Sequence, residues 1–246
     1  MFGKDKAKKI IFKSQQEHSQ FLTPIPKPAS NIIPEWYKKE KNFSNGENSV
    51  TKSLKKLPGG IGTFKLCVPL IDTLTSGYVI TLPADIAVSN MSEDGSYLPS
   101  INWKVDWEVV DAMAPEAHSN YPVPVGFSSH MFRWHFDFKI ETPAGYSCWM
   151  MHPSHRWDLP FLTISGFVDT DKHPNSILFP FFIQEGFEGI IKEGTPIAQI
   201  IPVKRENWKS EKKYSTAEDS FMLRNSTKIN FIRTYKERYW SRKKYE

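Results

Sequence analysis

His130-Met131-Phe132-Arg133-Trp134-His135-Phe136-Asp137-Phe138-Lys139-Ile140 decides the fold class. Phe132, Trp134, Phe136 and Phe138 occupy alternate positions, and Arg133, His135, Asp137 and Lys139 fill the gaps between them. A period of two is the side-chain period of a pleated strand, so the aromatics share one face and the polar residues the other. Such a strand lies half-buried, aromatic side to a core. Thr142-Pro143-Ala144-Gly145 then reads as a turn into a second strand, Tyr146-Ser147-Cys148-Trp149-Met150-Met151.

The same grammar extends upstream. Thr63 to Val68 alternates, Gly77 to Pro83 reads as a strand ending at proline, and Ala84 to Val88 continues after it. Asn102-Trp103-Lys104-Val105-Asp106-Trp107-Glu108-Val109 alternates apolar with polar residues, and Glu93-Asp94-Gly95-Ser96 is a hairpin-turn candidate. Residues 1–59 form an extended arm. Thr23-Pro24-Ile25-Pro26-Lys27-Pro28 holds it extended, because proline fixes φ and biases the residue before it. Pro34 starts a short helix over Glu35 to Lys39, and Trp36 and Tyr37 dock the arm; Asn45-Gly46 marks a turn. The β domain spans 60–208. Residues 209–246 are a basic, partly helical extension: Thr216 caps a helix running to Leu223, and Ile229 to Glu246 is amphipathic.

The bulk numbers agree. With 39% hydrophobic and 14% aromatic residues, the chain can bury a core, and its 18 prolines and 13 glycines favour turns over long helices. No apolar run reaches the roughly 18 residues a membrane span needs. Basic residues from Lys4 and Lys6 onward are not followed by a secretory apolar segment, so a cytoplasmic protein is expected. Cys67 and Cys148 read as buried free thiols. The charge of +5 concentrates at the two ends, with Arg233 to Lys244 crowding the second; basic ends of this kind touch nucleic acid or are simply solvated.

A second passage bears on function. Gly166-Phe167-Val168-Asp169-Thr170-Asp171 precedes Ile177-Leu178-Phe179-Pro180-Phe181-Phe182, and then come Glu193-Gly194-Thr195-Pro196 and Ile197-Ala198-Gln199-Ile200-Ile201. The glycine turn leads into a strand that buries Ile197, Ile200 and Ile201, and Pro202 closes it at an edge. In order and spacing, residues 159–208 resemble the core of the dUTPase and dCTP deaminase family. The resemblance implies an all-β, dUTPase-like barrel or jelly roll. It implies that Asp169 holds the sugar and orients the attacking water, and that Gln199 fixes phosphate or neighbouring backbone. Ser154, His155 and Arg156 stand as a loose counterpart of the family's Arg-Ser-Ser phosphate motif. Such cores form trimers, so a homo-oligomer is expected.

The departures are specific. After its aspartate the family's turn continues Tyr-Arg-Gly; here it continues Lys172-His173-Pro174. The glycine-rich tail that closes over a triphosphate is missing, since no glycine follows Trp208. The deaminase glutamate has no match in Ile177 to Phe182, so deamination is not expected. The chain also resembles a family of phage and bacterial proteins through Ile33 to Trp36, Pro143-Ala144-Gly145-Tyr146-Ser147, His152-Pro153 and Leu159-Pro160-Phe161. That likeness implies no activity; for a phage-encoded chain it extends the expected location to host cytoplasm or virion.

Three side-chain groups carry alternative chemistries. Arg133, His135, His155 and Arg156 read as an anion site, or as salt bridges to Asp137 and Asp158. Asp169 and Asp171 read as a magnesium pair, or as turn caps. His130, His135, His152 and His155 read as a cupin-like metal set, or as a polar loop beside a strand face; no known zinc spacing is present. The expected function is a non-catalytic binding or assembly module. The alternatives are a magnesium-dependent nucleotide pyrophosphohydrolase with a nucleotide or phosphate ligand and, third, a cupin-like metal-dependent enzyme. Magnesium enters only with the hydrolase.

Overall fold

The computed structural model describes residues 8–14, 24–44, 61–221 and 235–246. Expectations for Lys4, Lys6, Asn45-Gly46, Leu223, Ile229 and Arg233 lie outside the described residues. In chain order the elements are β1 (Ile11–Ser14), β2 (Lys27–Pro28), α1 (Glu35–Lys39), β3 (Phe43–Ser44), β4 (Ile61–Gly62), α2 (Val68–Thr75), β5 (Tyr78–Thr81), β6 (Ile86–Asn90), β7 (Pro99–Trp103) and β8 (Val110–Ala112). Then follow β9 (Phe127–His135), β10 (Phe138–Glu141), β11 (Tyr146–Met151), β12 (Phe161–Thr163), β13 (Gly166–Val168), β14 (Leu178–Gln184), β15 (Gly189–Ile191) and β16 (Pro196–Lys204). Among the described residues the regular elements are mostly antiparallel strands, with few helices. Among the described residues no helix is long and apolar enough to cross a membrane.

Two compact units divide the chain. The first takes residues 1–28 and 77–205. Its sheets run β13-β11-β16-β5-β2, β12-β14-β9-β8, β15-β6-β7 and β1-β10. One core joins them. Trp134, Phe181 and Ile183 from the second sheet meet Cys148, Met150 and Ile200 from the first, all fully buried. The rings of Trp134 and Phe181 stack with centroids 3.5 Å apart. Trp134 Nε1 donates to Thr163 Oγ1 (3.1 Å), and that hydroxyl donates to the Ile197 carbonyl (2.6 Å), so these polar atoms of the core are paired.

The aromatic face read from His130 to Ile140 is the buried one: Phe132, Trp134, Phe136 and Phe138 all lie in the core. The stretch breaks after His135 into β9 and β10, which belong to different sheets. Asn102 to Val109 is a partial correction. The ladder ends at Trp103, and residues 104–107 bend. Val105 and Trp107 still pack against the core, so the alternation reports which side faces inward, not whether a partner strand exists. Thr63 to Val68 is not a strand. Thr63 Oγ1 accepts from Lys65 N–H and caps a 3-10 turn at Phe64–Leu66. Pro69 then sits in the first turn of α2, where a missing N–H costs nothing. Pro202 does not end its strand, because β16 runs to Lys204. Beyond Ile200, β5 no longer accompanies it, so the proline falls where β16 has β11 as its neighbour on one side.

The second unit comprises residues 29–76 and 206–246. Pro34 precedes α1 as expected, and Tyr37 is buried with its hydroxyl donating to the Lys65 carbonyl, whereas Trp36 stays exposed. Thr216 caps the helix at 217–221 and exchanges hydrogen bonds with Asp219. Residues 240–246 are not helical; there Trp240 Nε1 and Lys243 Nζ both donate to Asp72 of α2. Both cysteines are free thiols, Cys148 buried and Cys67 half-buried.

Candidate functional site

Strand β11 carries candidate residues at both ends. β13 ends at Val168 opposite Cys148 and β16 ends at Lys204 opposite Tyr146, so the turn after β13 and the residue after β16 meet beside Ser147. There Ser147 Oγ donates to Asp169 Oδ1 (2.7 Å). Gly145 N–H donates to Asp171 Oδ2 (2.8 Å). Arg205 donates from Nη1 to Asp171 Oδ1 (2.8 Å) and from Nη2 to Asp171 Oδ2. Its Nη1 also reaches Tyr146 O (3.0 Å) and Ser147 Oγ (3.1 Å) and lies 3.3 Å from Asp169 Oδ1. The Asp171 side chain is 6% exposed and that of Asp169 55%. The Arg205 hydrogen bond, with the Gly145 N–H and the nearby positive charge, holds the Asp171 carboxyl down at about 2. The Arg205 pKa moves up in turn, chiefly through the same bond to Asp171.

The other end of β11 leads into the loop 152–160. Met151 stands opposite Gln199, whose buried side chain accepts at Oε1 from Ser154 N–H (2.9 Å). His152 Nδ1 accepts from Thr163 N–H (3.3 Å), which makes its Nε2 the donor to the Arg156 carbonyl (2.9 Å). Burial pushes the His152 pKa down, which keeps the ring neutral. His155 holds φ at 56°, the left-handed region a non-glycine residue visits rarely, and so turns the loop. The Arg156 guanidinium forks onto Asp158 at 2.8 Å from both Nε and Nη2, so the expected ion pair to Asp158 is present. Ser154 Oγ is buried without a hydrogen-bond partner among the described residues.

Arg133 and His135 lie on β9, in the other large sheet. Arg133 stands opposite Asp111 and donates to both its oxygens, at 2.9 Å from Nε to Oδ1 and more closely from Nη2 to Oδ2. Among the described residues its ion partner is thus Asp111, the residue facing it across the ladder, and not Asp137 or Asp158, the alternatives read from the sequence. His135 lies between Asp111 and Glu108.

These groups do not converge within one chain. Asp169 and Gln199 sit at opposite ends of β11, Ser147 to Met151, about 13 Å at the rise of a strand. Ser154, His155 and Arg156 accompany Gln199, Asp171 accompanies Asp169, and Arg133 and His135 stand on a different sheet. Arg205, Glu108 and Asp111 were missed by sequence reasoning. Arg205 follows Lys204 and precedes Glu206 with nothing to set it apart; only the pairing of β16 with β11 brings it to the aspartates. No family model matches the chain, and no curated protein matches it either.

Proposed function

We propose that this chain is a non-catalytic assembly module built on a dUTPase-like barrel or jelly roll. One observation carries the reading: the carboxylates that a nucleotide site would need are already committed to Arg205. A magnesium ion between Asp169 and Asp171 would compete with a guanidinium that is bidentate on one and 3.3 Å from the other. The half-buried Gly145 N–H beside them is likewise spent on Asp171, and at the other end of β11 the buried Ser154 N–H is spent on Gln199. Two antiparallel sheets sharing one core suit a jelly-roll-like arrangement.

Assembly is supported by the outer face of the β13-β11-β16 sheet. Phe167, Trp149 and Ile201 stand in one cross-strand row, on the side opposite buried Cys148 and Met150. Phe167 and Trp149 stack at 5.9 Å, and Phe167 remains 67% exposed. A second copy covering this row would bury aromatic surface of the kind enriched at subunit contacts. The pyrophosphohydrolase reading retains one favourable observation, the exposure of Asp169.

Two measurements on the full chain test the proposal. Light scattering should give a homo-oligomer that Phe167→Glu breaks into monomers, and a panel of deoxynucleoside triphosphates with magnesium should not be turned over. Pyrophosphate release that disappears in Asp169→Ala would overturn the non-catalytic reading; a monomeric wild type would overturn assembly.

A further inference from the structure

Glu108, Asp111 and His135 have no part in that reading, yet the fold gathers them. Asp111 lies in β8 opposite Arg133. His135 ends β9, and its N–H donates to the Val109 carbonyl (3.0 Å), which fixes it diagonally across the ladder from Asp111 on the same face. Glu108 lies between the 104–107 bend and β8. His135 Nε2 is 3.2 Å from Asp111 Oδ1, and His135 Nδ1 is 3.4 Å from Glu108 Oε2. One donor atom from each residue lies within 4.8 Å of the other two. Ligands about 2.1 Å from a common ion stand roughly 3–4 Å apart, so an ion on His135 Nε2 beside Asp111 would be completed by Glu108 swinging round from the Nδ1 side of the ring.

A second observation points the same way. Among the described residues His135 Nε2 is buried and makes no hydrogen bond, although Asp111 Oδ1 lies 3.2 Å away. A buried ring nitrogen left without a partner is what ligation would satisfy. Arg133 does not block it. A carboxylate oxygen accepts two bonds, so Asp111 Oδ1, which takes Arg133 Nε, keeps a lone pair on the His135 side. Arg133 then stands where ligating carboxylates are commonly hydrogen-bonded from behind. The inner pair is largely enclosed, each side chain 21% exposed, while Glu108 at 57% is free to close from solvent.

We propose that His135, Asp111 and Glu108 bind one divalent transition-metal ion of the zinc class, with water in the remaining positions. One imidazole and two carboxylates suit zinc or manganese and offer nothing to a soft thiophilic metal. The site is independent of the assembly reading.

Calorimetric titration of the full chain with zinc chloride tests it, with cobalt absorption as the signature of ligation. One equivalent of zinc should bind the wild type. His135→Gln and Glu108→Gln should each weaken it by about tenfold or more and diminish the visible cobalt bands. Glu108 is exposed and outside the ladder, so its variant keeps the fold and decides the matter if His135→Gln does not. No saturable zinc binding in the wild type, or equal affinity in Glu108→Gln, would overturn the proposal.

Discussion

Arg205 donates from both terminal nitrogens of its guanidinium to the two oxygens of Asp171. The pair fastens the turn after β13 to the end of β16, across the start of β11. Asp169 leans on the same cluster through Ser147. The turn at Asp169 to Asp171 is therefore pinned by its own ion pair, and the pin accounts for the geometry of the aspartates.

The core makes one polar commitment that can be removed cleanly. Thr163→Val keeps the side chain's shape but takes the acceptor from Trp134 Nε1, leaving a buried indole N–H unpaired. A loss of about 1–3 kcal/mol is expected from urea unfolding. Thr163→Ser, which keeps the hydroxyl, should lose less. A Val variant as stable as wild type would remove the bond from the account.

Gly77 enters β5 at φ 71°, and an added Cβ would overlap the Ile200 carbonyl. Gly77→Ala therefore combines left-handed backbone with a backbone collision. The strain alone costs about 1 kcal/mol or more, and the overlap adds to it. A sharply lower melting temperature is expected. An unchanged melt would mean that β5 and β16 do not approach so closely.

The loop 152–160 should make stability depend on pH. Burial lowers the folded-state pKa of His152, against a weaker pull upward from the Arg156 carbonyl. The unfolded chain takes up a proton near its ordinary pKa of about 6.5, where the folded chain does not. Stability should then fall as pH drops below that value, until the folded ring protonates. Urea midpoints at pH 7.5 and 5.5 should differ more in wild type than in His152→Gln. Equal differences would show that the ring is not held neutral.

Which faces are buried was legible in the sequence; which strands pair was not. Phe132, Trp134, Phe136 and Phe138 announce a core face by their spacing, and Tyr146 to Met151 is a strand with the bounds its turn implies. Val105 and Trp107 keep the same alternation with no ladder beneath them, because apolar spacing reflects burial and the ladder needs a partner. Among the site residues, Asp169 and Gln199 drew notice through a motif; Gln199 Oε1 accepts from Ser154 N–H. Arg205 and Asp111 could not be found this way. Each acquires its role from a residue on another element, Asp171 in the turn after β13 or Arg133 on β9, and register is a long-range property.

The most direct measurement is a double-mutant cycle on Arg205 and Asp171, read as melting temperature at pH 7 and in acid. Asp171→Asn and Arg205→Gln should each lower the melt, and the double variant should lose scarcely more than the worse single, since each single already breaks the pair. The Asp171 carboxyl is depressed to about 2, so its contribution is present above the ordinary value of about 4 and is lost as pH falls from there through about 2. The gap between wild type and Asp171→Asn should close over that range. Single variants that melt like wild type, or losses that simply add in the double, would contradict the assignment of these carboxylates to the fold.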